Sequence, residues 1–96
     1  MTVETRPYDS ARYLDSGEAA VAYIDEAFGT GDPAFITHAL GVVARTRGMT
    51  QVARDAGMTR ESLYKALSEK GNPEFGTVLR VAHALGLRIT AVPAGS

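Results

Sequence analysis

Within the stretch Thr59 to Ser68 stand Thr59, Arg60, Glu61, Tyr64, Lys65 and Ser68. On a helix that turns Leu63 and Leu67 inward, these six side chains face outward together. Their chemistry suits non-covalent reading of a duplex rather than bond making. An arginine presents paired donors that match the two major-groove acceptors of guanine, which is the fit expected for Arg60. Glu61 suits a cytosine amino group, or else it holds Arg60 in place. Tyr64 suits a thymine methyl or a phosphate, and Lys65 a phosphate. Thr50 and Gln51 fall at the start of the preceding helix, where backbone N–H groups and the helix dipole favour a phosphate. Each of these side chains is equally in character for a plain solvated helix surface.

Such residues read DNA only if the backbone presents them. A helix-turn-helix needs two short helices joined by a tight turn, with a small residue where they cross. Ala53 is that small residue. Gly57, four positions on, supplies a residue free to take a left-handed conformation. Leu63, Ala66 and Leu67 share one face and lock the second helix to the core, while Val52, Ala56 and Met58 fill the junction. This spacing predicts that the N-terminal residues of the second helix enter the major groove.

Other chemistries find little support. The chain has no cysteine, so it has neither a disulfide framework nor a thiolate nucleophile. His38 and His83 are far apart, in no ligand spacing, and read as packing residues beside core positions. Asp25 and Glu26 are adjacent on a helix and cannot face one another as an acid/base pair. There is no serine, histidine and aspartate grouping and no phosphate-binding glycine loop. An enzyme is not expected, nor a cofactor or a metal.

The remaining punctuation gives the scaffold. Thr2 to Tyr8 suits a short strand ahead of the helices. Asp15 or Ser16 caps a helix to about Phe28, with Ala20, Tyr23, Ile24, Ala27 and Phe28 on one face. Asp32-Pro33 starts a second helix, capped by the aspartate, through Phe35, Ile36, Ala39, Leu40, Val43 and Ala44 to about Thr46. Gly48 ends it. A short helix follows from Thr50 through Ala56. Thr59 caps the next, to about Lys70, and Gly71-Asn72-Pro73 makes a turn. A last helix covers Phe75 to Leu85, with Val78, Leu79, Val81, Ala82 and Leu85 inward. Leu87 to Val92 alternates at its start and reads as a strand. The fold class is therefore all-α, with about five helices and a small N-/C-terminal β element. Residues 1–96 form one domain: an acidic segment and helix at 1–32, a helical DNA-binding core at 33–86, and a strand and tail at 87–96.

Charge is unevenly spread. The net charge is −1, but residues 1–32 carry seven carboxylates against two arginines, and residues 33–96 carry eight basic side chains against four acidic ones. That split suits two faces with two kinds of partner. No apolar run approaches the roughly 20 residues needed to span a bilayer. The opening MTVETRPYDS has no apolar core or cleavage pattern, so a secretory leader is not expected and a cytoplasmic location is.

The run Ala39 to Gly48, then Met49-Thr-Gln-Val-Ala-Arg-Asp-Ala-Gly57, then Met58-Thr-Arg-Glu-Ser-Leu-Tyr-Lys-Ala-Leu67 and Gly71-Asn-Pro73 closely resembles the probable addiction-module antidote proteins. These are HigA-like antitoxins of the lambda-repressor-like helix-turn-helix class. Tyr8-Asp9, Tyr13-Leu14, Tyr23-Ile-Asp-Glu-Ala27 and Gly31-Asp-Pro33 also fit, so the resemblance covers nearly the whole chain. It implies an antitoxin that neutralises a RelE/ParE-type toxin, a compact basic protein, and that represses its own operon as a dimer on double-stranded operator DNA. The alternative is a free-standing prophage-type repressor. A basic toxin would be drawn to the acidic N-terminal third, with Asp25 and Glu26 as candidate contacts. For the dimer, Leu87, Ile89 and Ala91 fall on one side of the expected strand. That strand would pair either with its twin or with Thr2–Tyr8.

Overall fold

The computed structural model describes residues 17–95, and within them the chain is all-helical. Five helices run in order: α1 Gly17–Gly29, α2 Pro33–Arg47, α3 Met49–Asp55, α4 Arg60–Ala66 and α5 Phe75–Ala84. The expected Asp15 or Ser16 cap and the Thr2–Tyr8 strand lie outside the described residues.

Local chemistry sets most of the boundaries. Asp32 is extended (φ −98°, ψ 108°) and its Oδ1 accepts from the Ala34 N–H at 3.0 Å, with Pro33 in the first turn of α2. This satisfies one of the donors that a helix start leaves without a partner. The Gly48 N–H closes α2 onto the Ala44 carbonyl at 2.9 Å. Gly86 closes α5 together with Leu87, whose N–H reaches the Ala82 carbonyl at 2.9 Å.

The core gathers one stripe from each helix. Ala20, Ile24 and Ala27 of α1 meet Ala39, Leu40, Val43 and Ala44 of α2. Met49, Val52 and Ala53 of α3, Leu63 and Leu67 around α4, and Val81 and Leu85 around α5 complete it. The second helix packs on α1 and α3, and α3 packs on α4 and α5. Arg47 ties the end of α2 to the end of α5, because its guanidinium donates to the Leu85 carbonyl at 3.2 Å.

Four expectations need correction. The Leu87–Val92 segment forms no strand, and no strand occurs among the described residues. A ladder needs a partner backbone; here Leu87 instead turns in to pack against the chain's own core, and Ile89 is half-buried while Ala91 is exposed. Helix α4 stops at Ala66 rather than near Lys70. The Ser68 hydroxyl donates to the Lys65 carbonyl at 2.8 Å, and the chain folds back so that Gly71 lies against the Ala66 carbonyl. Third, Phe35 and Leu79 are more exposed than their periodicity implied, at 37% and 41%. A buried stripe covers only part of the helix circumference, so a large side chain set off to its flank stays partly in solvent. Finally, His38 and His83 are exposed rather than packed; the His38 ring stacks on Phe35 at 6.5 Å between centroids.

Candidate nucleic-acid interface

The turn between α3 and α4 is built by backbone hydrogen bonds around one glycine. Gly57 has φ +71°. Its N–H donates to the Arg54 carbonyl at 3.1 Å, and the Met58 N–H donates to the Ala53 carbonyl at 2.9 Å. This pair of bonds is the Schellman closure, which needs a left-handed residue at that position. Ala53 is 2% exposed, so the turn closes over a residue already packed in the core.

Thr59 then starts α4. Its backbone is extended (φ −76°, ψ 156°) and its Oγ1 accepts from the Ser62 N–H at 3.0 Å. The Thr59 hydroxyl also donates to Ser62 Oγ at 2.9 Å. Leu63 is fully buried and Leu67 nearly so, which fixes the rotation of α4 about its axis. Arg60, Glu61, Tyr64 and Lys65 are therefore left on the exposed side, as expected.

Two of these side chains form a unit. The Arg60 guanidinium lies 5.4 Å from the centroid of the Tyr64 ring, and its Nη2 donates to the Tyr64 hydroxyl oxygen at 3.4 Å. The hydrogen bond to Tyr64, with a smaller push from the Glu61 carboxylate, raises the guanidinium above its ordinary proton affinity. The i, i+4 spacing of an arginine and an aromatic residue was the available signal.

The other candidates divide. Thr50 is exposed at the start of α3. Gln51 is exposed, but its Nε2 donates to Asp55 Oδ1 at 2.9 Å, one turn along α3. Ser68 lies beyond α4 and its hydroxyl is engaged with the Lys65 carbonyl, so it is not part of the helix face. Beside α4, a shallow cleft is lined by Ser62, Lys65, Ser68, Lys70, Gly71 and Asn72. Ser62, Lys70 and Asn72 stand outside the set of contacts that the sequence predicts. Helical spacing does not reach past the end of α4, and only the fold-back at Gly71 brings 70–72 beside Ser62.

Asp25 and Glu26 lie elsewhere, exposed on α1, a helix with no basic residue. Among the described residues, no group of three or more metal-ligating side chains is placed to hold an ion. No helix among them is long and apolar enough to cross a membrane.

Comparison with known proteins follows the same outline. A family model described as "Probable addiction module antidote protein" matches residues 4–93. A protein of Haemophilus influenzae (strain KW20 / Rd), described as an uncharacterized protein, is 47% identical over 88 residues, spanning 92% of this chain and 91% of its own. No solved structure matches.

Proposed function

Because the chain belongs to the family of probable addiction module antidote proteins, we propose that it is an antitoxin that also binds its own operator through α3 and α4, as a lambda-repressor-like helix-turn-helix. The observation that carries this reading is the rotational setting of α4. Leu63 and Leu67 are buried, and Arg60, Glu61, Tyr64 and Lys65 are left exposed along α4. In this reading α4 lies in the major groove with Arg60 toward a guanine, and Lys65 meets a phosphate. Thr50 and Gln51, at the start of α3, face the flanking backbone, and Gln51 exchanges Asp55 for a phosphate oxygen. Lys70 and Asn72 extend the phosphate track past the end of α4.

The test is titration of the chain into the duplex upstream of its own gene and into a scrambled duplex, at two salt concentrations. Selective binding is expected, with log K falling by about 0.9 per neutralised phosphate for each unit of log salt. Equal affinity for both duplexes rules out operator reading.

The family role implies a toxin partner. The acidic surface of α1, with Glu18, Asp25 and Glu26 and no cation, supports a basic partner of the RelE/ParE type there. Operon repression follows if the chain pairs, since one reading helix covers few base pairs. The 88–92 segment, which is not a strand and carries half-buried Ile89 with exposed Ala91 and Val92, is the proposed contact surface for that homodimer. Molar mass in solution tests it: twice the chain mass at micromolar concentration is expected, and the mass of a single chain overturns it.

A further inference from the structure

Arg60 and Tyr64 are both exposed on α4, Tyr64 at 42%, yet they hold each other. The guanidinium sits 5.4 Å from the ring centroid and donates to the ring's hydroxyl at 3.4 Å. An exposed arginine normally samples many rotamers, and fixing it on binding costs free energy. Held over a ring one helical turn away, its planar fork is already ordered in a direction set by the helix. A flexible arginine takes whichever oxygen is nearest, and on DNA that is usually a phosphate.

We propose that Tyr64 is a positioning residue for base discrimination: it contributes by holding Arg60 as an ordered two-donor fork, and does not itself contact the duplex. The proposal rests on the DNA-binding reading above. Two contacts contribute, the ring face and the hydroxyl. The ring remains in Tyr64→Phe, whereas Tyr64→Leu removes both and keeps an apolar side chain on the helix.

A double-mutant cycle tests this, using duplexes selected from a randomised pool by the unmodified chain. Each variant is measured on the selected site and on the same site with the guanine pair replaced. Tyr64→Leu should reduce discrimination at that pair by about tenfold. Tyr64→Phe should keep most of it. In an Arg60→Ala background, Tyr64→Leu should change nothing further, because its target is gone. Unchanged thermal unfolding of each variant confirms that α4 is intact. If Tyr64→Leu costs the same factor in both backgrounds, Tyr64 touches DNA itself and the proposal is wrong. If discrimination at the guanine depends on Arg60 but survives Tyr64→Leu, the proposal is wrong as well. A pool from which the unmodified chain selects nothing defeats the DNA-binding reading first, which separates the two failures.

Discussion

Replacing Gly71 with alanine should destabilise this protein more than its place in a surface turn suggests. A Cβ built at Gly71 would lie 2.3 Å from the Ala66 carbonyl oxygen, 2.6 Å from the Lys65 carbonyl oxygen and 2.8 Å from the Ala66 carbonyl carbon. Carbon–oxygen contacts settle near about 3.3 Å, so the loop must retreat by about 1 Å. All three atoms are backbone at the end of α4 and none can rotate aside. The retreat strains the hydrogen bond from the Gly71 N–H to the Ser68 carbonyl at 2.8 Å. Overpacking of this kind costs about 1–3 kcal/mol and a weakened hydrogen bond about 1 kcal/mol. The alanine returns about 0.5 kcal/mol by restricting the unfolded chain. The net expectation is a loss of about 1.5–3.5 kcal/mol, which for a domain of this size lowers Tm by about 4–8 °C per kcal/mol. Thermal unfolding followed by far-UV circular dichroism reads this directly. Gly76, near the start of α5, is the internal control: nothing lies within 4 Å of a Cβ there. Gly76→Ala should leave Tm unchanged or raise it, because alanine favours a helix over glycine by about 1 kcal/mol. Equal Tm values for the two variants would refute the close approach of the 70–72 loop to α4, and with it the cleft that places Lys70 beside Ser62.

Three further outcomes are expected. Leu63→Ala removes a fully buried side chain from beneath α4 and should cost about 2–5 kcal/mol in denaturant unfolding; a smaller loss would mean that α4 is not anchored there. Thr59→Ala removes the side-chain cap at 3.0 Å and should cost about 1 kcal/mol, with Thr59→Asp restoring it; no difference between the two variants would count against the cap. Reversing charge at Asp25 and Glu26, exposed on α1, should weaken binding of the toxin partner that the family role implies, while leaving affinity for the proposed operator unchanged. Unaltered capture of that toxin in a pull-down would exclude α1 as its docking surface.

What the sequence made legible was mainly local backbone chemistry. A short helix has to stop at Gly57, which predicts a left-handed residue there, and it has φ +71°. Asp32 and Thr59 were read as caps because a short polar side chain ahead of a helical period has few other roles, and both accept the expected N–H bonds. Leu63 and Leu67 were assigned inward from spacing alone and are buried. The misreadings all depend on what lies across from a residue. A strand at 87–92 needed a partner that alternation cannot supply. The end of α4 was set by a fold-back onto its own carbonyls rather than by a helix-breaking residue in the next turn. Leu79 and His83 sit at a stripe whose buried width depends on the neighbouring helix. Arg60 and Tyr64 were each selected singly, and their i, i+4 spacing held the clue to the pair.

Mapping where the proposed operator duplex meets the chain is the most direct test. Backbone amide resonances of the labelled chain would be followed by NMR as its upstream duplex is added. If α3 and α4 meet the duplex as proposed, the changes concentrate at Thr50 and Gln51, at Thr59 to Lys65 and at Lys70 to Asn72, with α1 undisturbed. Changes centred on α1 or on the outer face of α5, with α4 silent, would contradict that reading.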